Sequence, residues 1–212
     1  MTETPYIDIH THKATCRNNV IEVLNISPYE ECTHMASCGL HPWNVDEKWK
    51  EAVTAVERRA SESNIFFIGE AGIDKLCGTD LHMQMEAMER QARTAERTCK
   101  PMIIHCVKGY DELISIRKAV KAEQRWIIHG FRGKPQLVQQ LLGLGFDISL
   151  GNKFNPETAK AIPSERLWIE TDECTADISY IYKAVAEIKG MNIEELKDSI
   201  YERFCEMCTL KG

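Results

Sequence analysis

Short apolar runs alternate with longer amphipathic segments along most of this chain. Eight runs have the length and composition of strands, and several of them are apolar at nearly every position. Strands that are buried on both faces of a parallel sheet have this composition. The predicted strands are YIDIHTH (6–12), VIEVLNI (20–26), ASCGLHP (36–42), IFFIGEAGID (65–74), PMIIHC (101–106), RWIIHGF (125–131), FDISLG (146–151) and LWIETDE (167–173).

Helical patterns lie between the later strands. Apolar residues recur at helical spacing over 47–62, 81–98, 110–122 and 135–144. Gly145 is placed to end the last of these helices. The connections before the second and third strands are short, so we expect the first two crossover helices to be reduced or missing.

The repeated alternation of strand and helix predicts an α/β fold, a (β/α)8 TIM-type barrel that is trimmed at its first crossovers. A doubly wound open sheet is the alternative. No linker, repeat or change of composition divides the sequence, so we expect a single domain over 1–212. In a barrel, the side chains that perform chemistry collect at the carboxyl ends of the strands.

Composition is ordinary for a globular protein, with 43% hydrophobic and 27% charged residues. The net charge of −6 argues against a protein that coats nucleic acid nonspecifically, but it is compatible with a locally basic site. No apolar run approaches the roughly 20 residues of a membrane helix, and the N-terminus does not resemble a signal peptide. Nine scattered cysteines are consistent with free thiols in a reducing compartment. We therefore expect a cytoplasmic protein without a membrane partner.

His10 and His12 lie two residues apart at the end of the first predicted strand, on the same face. Two adjacent imidazoles are poorly accommodated as cations, and a metal that binds neutral imidazole removes this difficulty. At any single position the alternative is a polar residue that caps a strand or a histidine satisfied in the core. Metal-type side chains recur at other strand ends, namely His41, Glu70, Asp74, His105, His129, Glu170 and Asp172.

This set of histidines and carboxylates exceeds the needs of one ion. Two divalent ions bridged by a carboxylate would use it, and such a pair clamps the attacking and leaving oxygens of a hydrolytic displacement. Nitrogen and oxygen ligands without thiolate suit Zn, Mn or Mg.

Six of these segments, in order, resemble motifs of the TatD-type metal-dependent hydrolases. They are YIDIHTH (6–12), GLHPW (39–43), IGEAGID (68–74), CKPMIIHC (99–106), WIIHGFRG (126–133) and LWIETDE (167–173). The resemblance covers most of the chain and implies a TIM-type barrel with a binuclear site. It implies that one ion is held by His10, His12 and Asp172, and the other by His105 and His129. Glu70 would be shared between the ions, with Glu70 and Asp172 as the catalytic residues.

The sequence gives weaker evidence for the substrate than for the metal site. Basic residues follow nearly every strand, and Lys108 and Arg132 are the candidates for contact with a phosphate, although lysines and arginines also populate solvent-exposed loops. His41 and Trp43 are further candidate substrate-binding residues, and Trp43 either stacks on a base or sugar or shields the rim. Val107 stands where the family usually has arginine, and Glu173 follows Asp172 where the family commonly has Ala-Pro.

The leading hypothesis is a two-metal hydrolase of phosphodiester bonds, most closely a TatD-like deoxyribonuclease with DNA as its partner. A second hypothesis is a hydrolase of a small phosphoester, amide or lactone that uses the same site. A third is a catalytically idle metal-binding barrel retained for a partner surface. The sequence leaves the oligomeric state open.

Overall fold

The computed structural model describes residues 3–209, which form eight strands and seven α-helices. The strands are β1 (Tyr6–Thr11), β2 (Val20–Ile26), β3 (Ala36–Cys38), β4 (Ile65–Asp74), β5 (Met102–Val107), β6 (Trp126–Ile128), β7 (Phe146–Leu150) and β8 (Leu167–Ile169). The helices are α1 (Trp49–Arg59), α2 (Leu81–Arg97), α3 (Tyr110–Val120), α4 (Pro135–Gly143), α5 (Pro156–Ala161), α6 (Ile178–Lys189) and α7 (Ile193–Thr209).

The described strands follow chain order, β1 to β8, in one sheet whose assigned ladders are parallel. The first and last strands approach each other through a parallel bridge between Thr11 and Asp172. This order is the topology of a TIM-type barrel, so the predicted fold class is confirmed. Residues 12–19 and 27–35, which the structure describes throughout, contain no helix, and the first two crossovers are therefore reduced as expected.

Contacts between Cα atoms group the chain into two compact units. The first unit comprises Met1–Val23 and Ile128–Gly212, and the second comprises Leu24–Ile127. In the first unit, every residue of β7 is buried. In the second, nine of the ten residues of β4 are buried, and a further apolar cluster forms around Trp49 and Val53. The single domain over 1–212 stays a prediction.

Local sequence explains the bounds of the helices. The side chain of Asp80 accepts the amide N–H of Met83 at 2.9 Å, which caps the first turn of α2. The helix then buries a face that includes Met88 and Ala92. Gly145 follows α4 with φ 84°, in the left-handed region that glycine adopts without strain. None of the described helices combines the length and apolar content needed to cross a bilayer.

Three strands end three or four residues earlier than predicted. β3 ends at Cys38, β6 at Ile128 and β8 at Ile169, whereas the predicted strands continued to 42, 131 and 173. The polar residues that follow these strands lie in the connecting loops, where the backbone leaves the ladder.

Candidate metal centre

In the unit formed by Met1–Val23 and Ile128–Gly212, ligand atoms of His10, His129 and Asp172 lie within 4.8 Å of one another. Oδ1 of Asp172 is 3.6 Å from Nε2 of His10 and 3.5 Å from Nε2 of His12. Ligands of a tetrahedral zinc ion, at bonds of about 2.0–2.1 Å, are roughly 3.3 Å apart. These separations are therefore close to those of side chains that share one ion.

The backbone of Asp172 is held from both neighbouring segments. Its φ is 55°, a left-handed conformation that non-glycine residues rarely adopt and that is concentrated at functional sites. Its amide N–H donates to the carbonyl of His10 at 2.9 Å. The preceding residue, Thr171, donates its amide N–H and its hydroxyl to the carboxylate of Asp8, at 2.9 and 2.6 Å. The loop after β8 is thereby fixed against β1.

The pKa values of the two carboxylates in this network, Asp8 and Asp172, are shifted in opposite directions. Burial raises the pKa of Asp8 to about 7, although the hydrogen bonds from Thr171 oppose the shift. Burial also disfavours the charged form of Asp172, but the contacts with His10 and His12 outweigh it, so the pKa of Asp172 lies well below its ordinary range. Asp172 is therefore a carboxylate at neutral pH.

A further carboxylate, Glu170, lies behind His129 and is fully buried. Its Oε1 is 3.5 Å from Nδ1 of His129 and accepts the amide N–H of Gly130 at 2.5 Å. Its Oε2 has no hydrogen-bond partner among residues 3–209. A buried carboxylate with an unpaired oxygen is costly, and a cation held by the adjacent histidines would offset that cost. A carboxylate in this position also orients a histidine ligand.

In the unit Leu24–Ile127, a second cluster forms from His41, Glu70 and His105. Oε1 of Glu70 is 2.9 Å from Nδ1 of His105 and 3.1 Å from Nε2 of His41. The two imidazoles approach each other at 3.2 Å, between Nε2 of His41 and Nδ1 of His105. Glu70 is almost fully buried, at 3% exposure.

Fixed donors on the backbone and the indole determine the roles of the ring nitrogens. The amide N–H of Trp43 donates to Nδ1 of His41 at 3.1 Å, so the proton of a neutral His41 is on Nε2. Nε2 of His105 is 3.2 Å from Oδ2 of Asp74, which also accepts the indole N–H of Trp43 at 2.7 Å. When neutral His105 donates from Nε2 to Asp74, its Nδ1 presents a lone pair, which is the tautomer that a metal ligand requires.

The residues of this cluster have different roles: His41 presents a hydrogen-bond donor, whereas His105 and Glu70 present atoms that can bind a metal. In that tautomer Nδ1 of His105 and Oε1 of Glu70 are both acceptors, and they are 2.9 Å apart. A metal cation or a proton between them relieves the repulsion, so these atoms fit a metal. His41 instead directs an N–H toward the same point. Burial raises the pKa of Asp74, but hydrogen bonds from Trp43, Leu76 and His105 outweigh this and lower it, so Asp74 is a charged acceptor.

The predicted ligands thus fall into these two groups. His10, His12, His129 and Asp172 lie in the first unit, and Glu70 and His105 lie in the second together with His41. The binding of one ion by His105 and His129, and the sharing of Glu70 between two ions, stay predictions.

Three of the predicted substrate-binding residues, Trp43, Lys108 and Arg132, are exposed, whereas His41 is half-buried. Lys108 and Arg132 follow β5 and β6 with exposed side chains, and Lys108 has a left-handed φ of 56°. Two other basic residues at strand ends are engaged in ion pairs: Arg17 contacts Asp177, and Lys75 lies 2.7 Å from Glu112. Fewer free cations are therefore available for a phosphate than the sequence indicates.

A cavity of about 270 Å³ adjoins Asp172 within the first unit. It is bordered by the segment after β1 and the segment after β8, including His12, Lys13, Glu173 and Cys174. Alternation along the predicted strand LWIETDE (167–173) places Glu173 on the face opposite that of Asp172. That reasoning was wrong, because β8 ends at Ile169 and Asp172 has positive φ, and both residues line the cavity.

Sequence reasoning missed the residues that position the candidate ligands. Asp8 was assigned no role, although its spacing in β1 places it on the same face as His10. Asp74 was noted at a strand end without a role. Gln84 accepts the amide N–H of Asp74 at 2.8 Å, and no pattern in the sequence indicated this contact.

The family model described as TatD related DNase matches residues 7–208. An uncharacterized metal-dependent hydrolase of Buchnera aphidicola subsp. Baizongia pistaciae is 29% identical over 65% of this chain and 55% of its own length. A Klebsiella pneumoniae protein named 3'-5' ssDNA/RNA exonuclease TatD is 29% identical over 69% of this chain and 59% of its own length. The aligned region thus spans little more than half of these relatives.

Among solved structures, that of YJJV, a TatD homolog from Escherichia coli k12, superimposes with a TM-score of 0.81. The superposition covers 96% of this chain and 98% of the other at 17% identity. At this identity the likeness shows the fold, and it agrees with the topology described above. The family resemblance inferred from the six motifs is confirmed by the family model.

Proposed function

The chain belongs to the TatD related DNase family of metal-dependent hydrolases, and from this premise we propose that it hydrolyses phosphodiester bonds of nucleic acid as a metal-dependent deoxyribonuclease. The observation that carries the proposal is the cluster of His41, Glu70 and His105, in which Nδ1 of His105 and Oε1 of Glu70 are 2.9 Å apart. The cluster of His10, His129 and Asp172 is a second set of nitrogen and oxygen donors without thiolate.

Divalent ions bound by such residues lower the pKa of water and withdraw charge from a phosphoryl oxygen. Asp172 supplies the base. Its carboxylate lies beside the candidate metal ligands His10 and His12, in a position to accept the proton of a water that attacks at this site. Glu170 holds His129 in place from behind, and Asp74 does the same for His105.

Charge that develops on the phosphoryl oxygens is stabilised by donors of this chain. His41 offers an N–H from Nε2, because its Nδ1 is occupied by the amide of Trp43. Lys108 and Arg132 are exposed cations that follow β5 and β6 and attract the phosphate backbone. Relatives named as exonucleases of single-stranded DNA and RNA support a nucleic-acid substrate. The nine free cysteines support a reducing, cytoplasmic compartment.

The test is a substrate panel of single-stranded DNA, duplex DNA, RNA and small phosphodiesters, with protein loaded with Mn, Zn or Mg. We expect cleavage of at least one nucleic acid that EDTA abolishes and that the Asp172→Asn variant lacks. Absence of cleavage under every metal condition contradicts the proposal.

A second candidate is hydrolysis of a small phosphoester, amide or lactone. The cavity beside Asp172 favours it, because about 270 Å³ accommodates a small group and Glu173 lines it with a negative charge. Turnover of small esters without turnover of any nucleic acid in the same panel would favour this candidate over the first.

A further inference from the structure

Trp43 and Leu76 expose large apolar side chains next to the second cluster, at 61% and 65%. Both residues donate a hydrogen bond to the carboxylate of Asp74. The indole N–H of Trp43 donates to Oδ2 of Asp74 at 2.7 Å, and the amide N–H of Leu76 donates to Oδ1 at 2.8 Å. The polar edge of the indole is thereby fixed while most of its surface remains in solvent.

The remaining contacts of Trp43 hold it beside the candidate ligands. Its ring centroid is 4.9 Å from that of His41 and 6.0 Å from that of His105. Its backbone N–H donates to His41, and the carbonyl of the preceding Pro42 accepts the hydroxyl of Thr79 at 2.9 Å. An exposed aromatic side chain that is held at several points is already ordered before a ligand arrives, so little conformational entropy is lost on binding.

We propose that Trp43 is a stacking platform for an unpaired nucleobase next to the scissile phosphodiester. The inference rests on the proposed function and adds the form of the substrate. Every nucleobase has a π-face that stacks on an aromatic ring, so such a platform is tolerant of sequence. In a duplex both faces of an internal base are already stacked. The platform therefore selects single strands or frayed ends.

The competing role for Trp43 is to hold Asp74, and through it His105. Two substitutions separate the roles. Trp43→Phe keeps an aromatic face and removes the hydrogen bond to Asp74, whereas Trp43→Ala removes both. Tyr29→Ala is the matched control, because Tyr29 is similarly exposed, at 69%. Its loop is held by a hydrogen bond from Arg59 to the carbonyl of Glu30 rather than by Asp74.

The measurement is kcat/KM of the metal-loaded protein on a single-stranded oligonucleotide and on one of the same length built from abasic residues. We expect the ratio of the two values to fall by about 5- to 150-fold in Trp43→Ala, the usual worth of one stacked base. The ratio should fall much less in Trp43→Phe and should not change in Tyr29→Ala. An unchanged ratio in Trp43→Ala, or an equal fall in Trp43→Phe, overturns the platform.

A binding measurement tests the stacking platform independently of the proposed function. The other tryptophans, Trp49, Trp126 and Trp168, are at most 7% exposed, so quenching of the intrinsic fluorescence by a ligand reports on Trp43. Deoxyadenosine monophosphate should quench it, and deoxyribose 5-phosphate should not. If neither oligonucleotide is cleaved, the proposed function fails, and quenching by the nucleotide alone still supports the platform. Equal quenching by both compounds, or by neither, overturns it.

Discussion

At the scale of single residues, Asp172 is positioned through both its backbone and its side chain. Its amide N–H donates to the carbonyl of His10, the neighbouring Thr171 donates to Asp8, and Oδ1 is about equally distant from Nε2 of His10 and Nε2 of His12. This arrangement makes Asp172 the best candidate for the general base, because its carboxylate lies beside the candidate metal ligands on a loop that is fixed against β1.

Asp172→Asn is expected to lower turnover by roughly 10²- to 10⁴-fold, the range for loss of a positioned general base. The amide keeps the shape of the side chain and one oxygen ligand but removes the negative charge and the basicity. Turnover on the cleaved substrate should be measured together with metal content and circular dichroism, which should show a folded protein that still binds metal in part.

Glu173→Gln is the control for this variant, because Glu173 is the next residue, is exposed and lines the same cavity. It should lower turnover far less. Near-normal turnover in Asp172→Asn, or an equal loss in Glu173→Gln, would remove Asp172 from the role of base.

At the scale of elements, the strands were predictable and the ends of the shortest ones were not. Buried strands such as β4 and β7 are apolar at nearly every position, a pattern that sequence reveals directly. The loops after β3, β6 and β8 carry His41, His129 and Asp172, whose polarity and turn conformations do not follow the period of a strand. Helix α6 was not predicted, although its buried residues recur at helical spacing: Ile178, Ile181, Tyr182, Val185 and Ala186.

The start of α6 is fixed by Asp177. Its carboxylate accepts the amide N–H of Ser179 at 2.9 Å and forms an ion pair with Arg17 in the segment after β1. The hydrogen bond from Ser179 lowers the pKa of Asp177, with a further contribution from Arg17. A helix cap and a connection between two loops thus depend on one side chain.

Asp177→Ala is expected to lower the free energy of unfolding by about 0.5–2 kcal/mol at pH 7, the usual cost of losing an N-cap. Because the pKa is lowered on folding, the stabilisation by the charged form is present above the unfolded value of 3.8 and is lost as the pH falls through the folded value. Denaturant unfolding of both proteins between pH 3 and pH 7 should therefore show a difference that shrinks in acid.

Asp177→Asn is the companion variant, since asparagine is also a good N-cap but carries no charge. It should be closer to wild type than the alanine variant at pH 7. A stability difference for Asp177→Ala that stays constant, or grows, as the pH falls would contradict the assigned charge.

At the scale of the whole molecule, an acidic protein must bind an anionic substrate through a few local cations. The chain has a net charge of −6, and Arg17 and Lys75 are committed to ion pairs. The sequence indicated the basic residues after the strands but not which of them are neutralised, because that depends on acids from other segments. Lys108 and Arg132 remain the candidates for phosphate contact.

Lys108→Ala and Arg132→Ala should each raise KM for a single-stranded oligonucleotide while leaving the metal content unchanged. Removing a cation that neutralises one phosphate should reduce the slope of log affinity against log salt by about 0.7, the value for single strands. Binding should be measured between 50 and 200 mM salt, with Lys75→Ala as the control because Lys75 is paired with Glu112. Unchanged slopes would show that these cations do not bind phosphate.

Metal content tests the predicted site as a whole. The histidine and carboxylate ligands were predicted from strand ends, but the number of ions was not determined by their positions in the sequence. Mn is the better ion for counting, because the nine free thiols of the chain have a higher affinity for Zn and would inflate its content. Protein stripped with EDTA and reloaded with Mn is expected to hold close to two ions per chain, as measured by elemental analysis.

The same ions should stabilise the folded chain, because the ligand clusters exist only in the native state. An ion present at 100 times its dissociation constant adds about 2.7 kcal/mol to the free energy of unfolding. The unfolding midpoint should therefore rise with Mn concentration. In a His105→Ala, His129→Ala double variant, retention of one ion supports a single ion bound by both histidines, and loss of both ions assigns each histidine to its own ion. A midpoint independent of Mn, together with less than one bound ion, would contradict the metal centre, since buried carboxylates such as Glu170 would then lack the cation that compensates them.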